Sequence, residues 1–157
     1  RLHYSSDWLY EMTCLNFLED ITKEKGGIPF PSKVSFISQN WKKYPALIQD
    51  STLVTKIIDI EKTINGRAYY YIPKEKVLPF AGQIKTGDII LITTKKKGLD
   101  TAHVGIAIEN EGQIYLLHAS VSDKKVSVTT ETLPDYLQRI TSHSGIMIGR
   151  LINFKSN

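Results

Sequence analysis

Two histidines and one cysteine carry the chemistry open to this chain. His103 opens a run reading H-V-G-I-A-I, and His118 closes one reading L-L-H-A-S. Cys14 is the single thiol. A thiolate becomes a strong nucleophile when a nearby imidazole takes its proton and a helix N-terminus favours its charge. A third polar group then orients the imidazole. In such an arrangement His103 is the base and His118 the orienting group. Cys14 falls inside a predicted helix, among Met12, Leu15 and Leu18, so the plainer reading is an inert buried thiol. For His103 the plainer reading is a strand-start histidine bonded to a loop.

The elements around the histidines decide between these readings. Side chains alternate along a strand, which puts Val104, Ile106 and Ile108 on one face as expected core. His103 shares the other face with Gly105 and Ala107, and two small residues there leave a shallow groove for a packed helix or a substrate. Ile114, Leu116 and His118 share a face of the next strand. Asn110-Glu111-Gly112 joins the two strands as a hairpin. With Glu109 opposite Gly112, His103 falls opposite His118. A three-residue loop with a bulge at Gly112 sends the two rings to opposite faces, and turn chemistry slightly favours that register.

The rest of the chain divides near residue 66. Residues from Ser6 to Lys23 read as a helix capped by Ser6 or Asp7, with Trp8, Met12, Leu15 and Leu18 at helical spacing. Gly26–Pro31 stops it, and residues 32–49 read as loop with helical turns. A second helix starts at Asp50 or Ser51, carries Leu53, Ile57, Ile60 and Ile64 as one apolar stripe, and ends at Asn65-Gly66. Strands follow at Ala68–Ile72, Ile89–Thr94, Ala102–Glu109, Gln113–Ala119, Val126–Thr130 and Gly145–Ile152. A helix over Leu133–Ile140, with Pro134 in its first turn, precedes the last strand. Helices first and an antiparallel sheet second is the α+β pattern, in a single domain over 1–157.

Composition narrows the function classes. With 41% hydrophobic and 23% charged residues among 157, the chain is of ordinary globular composition. The net charge of +4 is spread evenly and carried mostly by lysine, which argues against a nucleic-acid-binding face. One cysteine excludes an intrachain disulfide and a cysteine metal cluster. His143 and Asp100 are conceivable metal ligands beside the histidine pair, but two histidines without a third spaced ligand make a poor site, so no metal is expected. His3 and His143 read as surface residues, and Lys95–Lys97 as a solvated turn. No apolar run approaches the ~18–20 residues of a membrane span.

Gly87-Asp88-Ile89-Ile90, then His103-Val104-Gly105-Ile106, then Leu117-His118-Ala119-Ser120 resemble the NlpC-type papain-like cell-wall hydrolases. R-L-H-Y-S-S-D-W at 1–8, Y-Y-Y-I-P-K at 69–74, G-D-I-I-L-I-T-T at 87–94 and K-G-L-D-T-A-H-V-G at 97–105 resemble the N-acetylmuramoyl-L-alanine amidase-like branch found in Bacteroidetes. The resemblance implies N-terminal helices packed on an antiparallel meander or half-barrel. It implies cleavage of the amide that starts a peptidoglycan stem peptide, with no cofactor, in a periplasmic or secreted setting. It makes His103 the general base and His118 its orienting partner. It places Tyr4, Ser6, Asp7 and Trp8 in the substrate cleft, with Tyr4 nearest the chemistry. In the family the nucleophile lies in a D-C-x-[TS] helix start upstream of the R-x-H-Y segment. Cys14 in T-C-L-N-F-L-E-D follows that segment and lacks the Asp. The expectation is therefore that the nucleophile helix precedes these residues, with Cys14 the lesser candidate. The alternative function is a muropeptide-binding module without a nucleophile, and a third possibility is a plain interaction domain with a basic surface.

Overall fold

The computed structural model describes residues 2–31 and 33–152; Arg1, the first residue of the R-L-H-Y motif, lies outside them. The first helix, α1, spans Ser5–Cys14 and is shorter than the expected Ser6–Lys23. Leu15 closes it with an N–H to the Glu11 carbonyl, and Asn16 turns away with φ 58°. Leu18–Asp20 then form a strand, β1, paired with residues 149–151. Burial of Leu18 against the sheet outweighs continued helical spacing, because a short β-pairing satisfies the backbone as well as a helix does. Neither Ser6 nor Asp7 caps α1; the Asp100 carboxylate accepts the Ser6 backbone N–H at 2.7 Å instead. A residue ninety-four positions away thus does what a local cap does elsewhere.

After β2 (Ile28–Pro29), helical turns at α2 (Phe36–Gln39) and α3 (Pro45–Gln49) lead to α4, Thr52–Asn65. Its buried residues are Ile57, Glu61 and Ile64, and Ile60 is 45% exposed. The expected stripe is therefore interrupted: Glu61 takes the inward position because it meets polar partners there. The Tyr4 hydroxyl donates to its Oε1 at 2.7 Å, the Ser38 N–H donates to the same oxygen at 3.0 Å, and Ser38 Oγ donates to Oε2.

The sheet has eight strands: β3 (Tyr70–Pro73), β4 (Ile89–Thr94), β5 (Thr101–Asn110), β6 (Gln113–Ser120), β7 (Lys125–Val128) and β8 (His143–Leu151) join β1 and β2. Their order is β2-β3-β8-β4-β5-β6-β7, with β1 beside β8, and all pairs are antiparallel. The sheet is open, and β4 through β7 form the expected meander. The last strand departs from it. Helix α6 (Leu133–Arg139) carries the chain off the β7 edge, and β8 pairs with β4 at the centre.

One face holds Ile90, Ile92, Ala107, Ile114, Leu116, Ile146 and Ile148 against α6 (Leu133, Leu137) and α5 (Val77–Phe80). The other packs Leu91 and Met147 against Leu9 of α1 and Leu18. Gly149 permits that approach, since a Cβ there would stand 2.8 Å from Leu9 Cδ1. The core on β5 lies on the face opposite to the one expected. Ala107 is fully buried and Ile106 is 42% exposed. Gly105 is small because Leu116 covers it; a Cβ would meet Leu116 Cγ at 2.6 Å. The two small residues thus admit a cross-strand leucine and α6.

Candidate functional site

The β5–β6 hairpin positions the histidines through its turn. Asn110 pairs with Gln113, leaving Glu111-Gly112 as a two-residue turn with φ 51° and 76°. Two positive φ values in succession mark the type I′ geometry that matches strand twist. This register is neither of the two considered from sequence. It differs by two residues from the one that sets His103 opposite His118, and a shift of two keeps both rings on the same face. The rings meet there diagonally: His103 Nε2 and His118 Nδ1 lie 2.7 Å apart, centroids 4.9 Å, planes nearly perpendicular at 87°. Both side chains are half-buried.

The pair lines a groove of about 920 Å³ between the β6–β7 end of the sheet and α6. Its walls include Ala102, Ser120, Lys125, Glu131, Tyr136 and His143. Tyr136 comes from α6, whose start is fixed by Pro134 and by Thr132 Oγ1 accepting the Asp135 N–H. The Tyr136 ring stands edge-on to His118 at 5.6 Å and tilted to His143 at 5.6 Å.

His143 is buried, not a surface residue, with 4% of its area exposed. It sits at the start of β8 opposite Thr94, where a register shift turns it toward the groove. Burial, then the positive charges of His103, Lys74 and Arg139, push its pKa down to about 4. Among the described residues its Nδ1 meets no hydrogen-bond partner. Tyr136 is the site residue that sequence reasoning did not single out, and His143 figures there only as a conceivable metal ligand and a surface residue. The alternation of β8, continued back from the buried Ile146 and Ile148, could not have found His143, because the shift at Thr93/Thr94 breaks the count.

The other expected site residues lie elsewhere. Tyr4 is 2% exposed within a second core formed by Val34, Ile37, Leu47, Ile57 and Ile64. Its hydroxyl donates to Glu61 and accepts the Ile37 N–H, and burial raises its pKa strongly. Ser6 is buried, Asp7 pairs with Arg67, and Trp8 packs with the Leu9–Leu91 cluster. None of the four lines the histidine groove. Tyr4 is a core tyrosine tied to Glu61. Cys14 is exposed at the C-terminal end of α1, bonded to Tyr10, whose pKa that bond raises. It is neither the buried thiol of the plain reading nor a lining residue of the groove. Asp100, conceivable as a ligand, spends its carboxylate on the Ser6 and Thr101 backbone N–H groups. Among the described residues no group of three or more His, Cys, Asp or Glu side chains is placed to hold a metal ion, and no helix is long and apolar enough to cross a membrane.

An open antiparallel sheet with helices on both faces and an imidazole pair at one end defines the class of the molecule. Residues 1–146 match the AmiA-like family, described as N-acetylmuramoyl-L-alanine amidase-like. The chain belongs to that family. It is similar to the crystal structure of an N-acetylmuramoyl-L-alanine amidase from Bacteroides uniformis, with 36% identity, TM-score 0.89, 98% of this chain and 65% of that one. A structure described as a putative xylanase from Bacteroides fragilis matches at 37% identity, TM-score 0.88, 96% of this chain and 66% of that one. The Legionella pneumophila protein LPG0564 shares the fold at TM-score 0.68 and 21% identity, over 98% of this chain and 62% of that one. The chain thus spans less than two thirds of the length of each of these structures. No curated protein matches.

Proposed function

We propose that the chain forms the histidine half of a cysteine amidase of NlpC-type, papain-like kind. Its substrate is the bond between the lactyl carbonyl of N-acetylmuramic acid and the L-alanine of a peptidoglycan stem. The observation that carries this reading is the 2.7 Å contact between His103 Nε2 and His118 Nδ1 at the edge of an open groove. In the working tautomer His103 donates its Nε2–H to His118 Nδ1, and His103 Nδ1 carries the basic lone pair. It takes the proton of a thiol, the thiolate attacks the carbonyl, the C–N bond breaks as the His103 imidazolium returns that proton to the leaving L-alanine nitrogen, and water, activated by His103, then hydrolyses the thioester acyl-enzyme and frees the thiol. The imidazolium formed on His103 is stabilised by the neutral His118 that accepts from it.

The thiol is not Cys14. That side chain is exposed at a helix C-terminus, the negative end of the helix dipole, whereas a nucleophilic thiolate draws on the positive end. The nucleophile belongs to a segment preceding these 157 residues, in line with the family resemblance. The corresponding setting is outside the cytoplasm, where the wall polymer is. A binding module without catalysis is the second reading. It is favoured by the lack of any thiol lining the groove among the described residues. A glycosidase reading finds less support. Glu131 is held by Arg139 at 2.6 Å, and the Asp123 Oδ2 accepts from Ser127, which leaves no evident acid–base carboxylate pair.

The test is incubation of muramyl-tripeptide with the 157-residue chain and with the same chain extended by its natural upstream sequence. Release of free tripeptide by the longer form alone is expected. No release by either form overturns the amidase assignment, and binding of muramyl-tripeptide without release supports the second reading.

A further inference from the structure

Among the described residues the His118 ring makes one hydrogen bond, through Nδ1 to His103. One hydrogen bond fixes a point on a ring, not its plane. The last torsion of a histidine is broad, so a ring held at Nδ1 alone can rock, and the bond weakens as the acceptor leaves the donor axis. The tautomer goes with the bond, because the hydrogen bond made by one ring nitrogen decides which nitrogen carries the proton. A pair that works as base and orienting group therefore needs a second restraint on His118.

Packing from α6 supplies it. The Tyr136 ring lies T-shaped on His118, centroids 5.6 Å apart and planes at 84°, within the range in which perpendicular aromatic pairs attract. Tyr136 is itself held firmly. Leu133 and Leu137 of the same helix are fully buried in the core beneath it. The buried His143 ring stands 5.6 Å away at a tilt of 37°. The Arg139 guanidinium lies 5.3 Å from the Tyr136 ring and is bound in turn by Glu131 at 2.6 Å. The Tyr136 hydroxyl makes no hydrogen bond among the described residues, so what the side chain brings to His118 is its ring.

We propose that Tyr136 is the positioning residue of the imidazole pair. By fixing the plane of His118 it keeps Nδ1 in line with His103 Nε2, and so holds the tautomer that leaves His103 Nδ1 free to act as the base. Tyr136 acts through His118 and is not itself a catalytic residue. Helix α6, which carries the chain from β7 to β8, thereby delivers a rigid ring onto the pair. The consequence for catalysis rests on the function proposed above; the hold on the His118 ring does not.

Nitrogen-15 NMR of the histidine-labelled 157-residue chain tests it, at about pH 8, where ordinary imidazoles are neutral. In the wild type His118 is expected to show one protonated and one unprotonated nitrogen, Nδ1 being the unprotonated one, with a coupling across the bond to His103 Nε2. Tyr136→Phe keeps that pattern, because the ring remains. Tyr136→Leu draws the two His118 nitrogen shifts together and loses the coupling, while backbone amides outside α6 and its contacts keep their shifts. Tyr136→Met takes its place if the leucine variant does not fold. In the extended polypeptide Tyr136→Leu lowers kcat for tripeptide release by about tenfold with KM within about twofold, since a misplaced base costs turnover rather than binding. A protonated Nδ1 on wild-type His118, the wild-type pattern in Tyr136→Leu, or averaging in Tyr136→Phe equal to that in Tyr136→Leu overturns the proposal. So do amide shifts throughout the sheet, which mark a general loss of packing, and an unchanged kcat in the leucine variant of an active parent. Absent release by the wild-type extended polypeptide overturns the amidase reading instead, and the nitrogen pattern then decides this proposal by itself.

Discussion

The β5–β6 hairpin and the segment from Tyr4 to Trp8 both hold polar and aromatic residues in motif spacing, and the fold uses them in opposite ways. In the hairpin, His103 and His118 spend one nitrogen each on one another and remain half-buried at a groove. In the N-terminal segment the polar groups are spent on distant parts of the chain. Tyr4 reaches Glu61 of α4, the Ser6 N–H reaches Asp100 before β5, and Asp7 reaches Arg67 after α4. These three links tie α1 to both halves of the molecule. A polar side chain is available for chemistry when its hydrogen-bonding capacity is not already committed inside the fold, and motif spacing alone does not tell which case holds.

The contrast is sharpest in activity. In the extended polypeptide, His103→Ala is expected to lower tripeptide release by about a thousandfold while leaving the thermal midpoint nearly unchanged, the span for loss of a general base. Tyr4→Phe should do the reverse. It removes a donor from the buried Glu61 carboxylate and costs about 1–3 kcal/mol in urea unfolding, with turnover within about twofold. A Tyr4→Phe chain of full stability and no activity would break the comparison.

The histidine region should also reveal itself by pH. The folded pKa of His143 is about 4 against an ordinary 6.5, so between those values the unfolded chain binds more protons. Stability is therefore complete above about pH 6.5 and declines as pH falls toward 4, by about 3 kcal/mol from this residue. Urea midpoints at pH 7 and 4.5 for the wild type and His143→Gln measure it; an equal slope in both removes His143 as the cause. Smaller again is Asp7→Asn. Its pair with Arg67 is about a quarter exposed, so a loss below about 1 kcal/mol is expected. Cys14→Ser should be smallest, within about 0.5 kcal/mol and without effect on release; loss of activity in that variant would restore Cys14 as the nucleophile.

Local signals made much of the frame legible. Asn65-Gly66 ended α4 as expected, Pro134 marked the start of α6, and apolar runs marked β4, β5, β6 and β8. The errors arose where a distant partner overrode a local pattern. Asp100 replaced a cap at α1, pairing with β8 drew Leu18 out of the helix, and Tyr4 with Ser38 drew Glu61 inward in place of Ile60. Gly105 and Ala107 left room for a packed helix or a substrate; Leu116 and α6 take that stretch, and the groove lies further along at His103.

By itself the sequence determined the element types and the residue types of the imidazole pair, because helix stops, strand alternation and side-chain chemistry are local properties. The tertiary structure decided which face of β5 became core, whether His103 and His118 meet, that His143 joins them, and that Tyr4 does not. Those outcomes depend on strand register, which a single turn can shift by a residue, and on partners ninety or more positions apart whose approach no local pattern encodes.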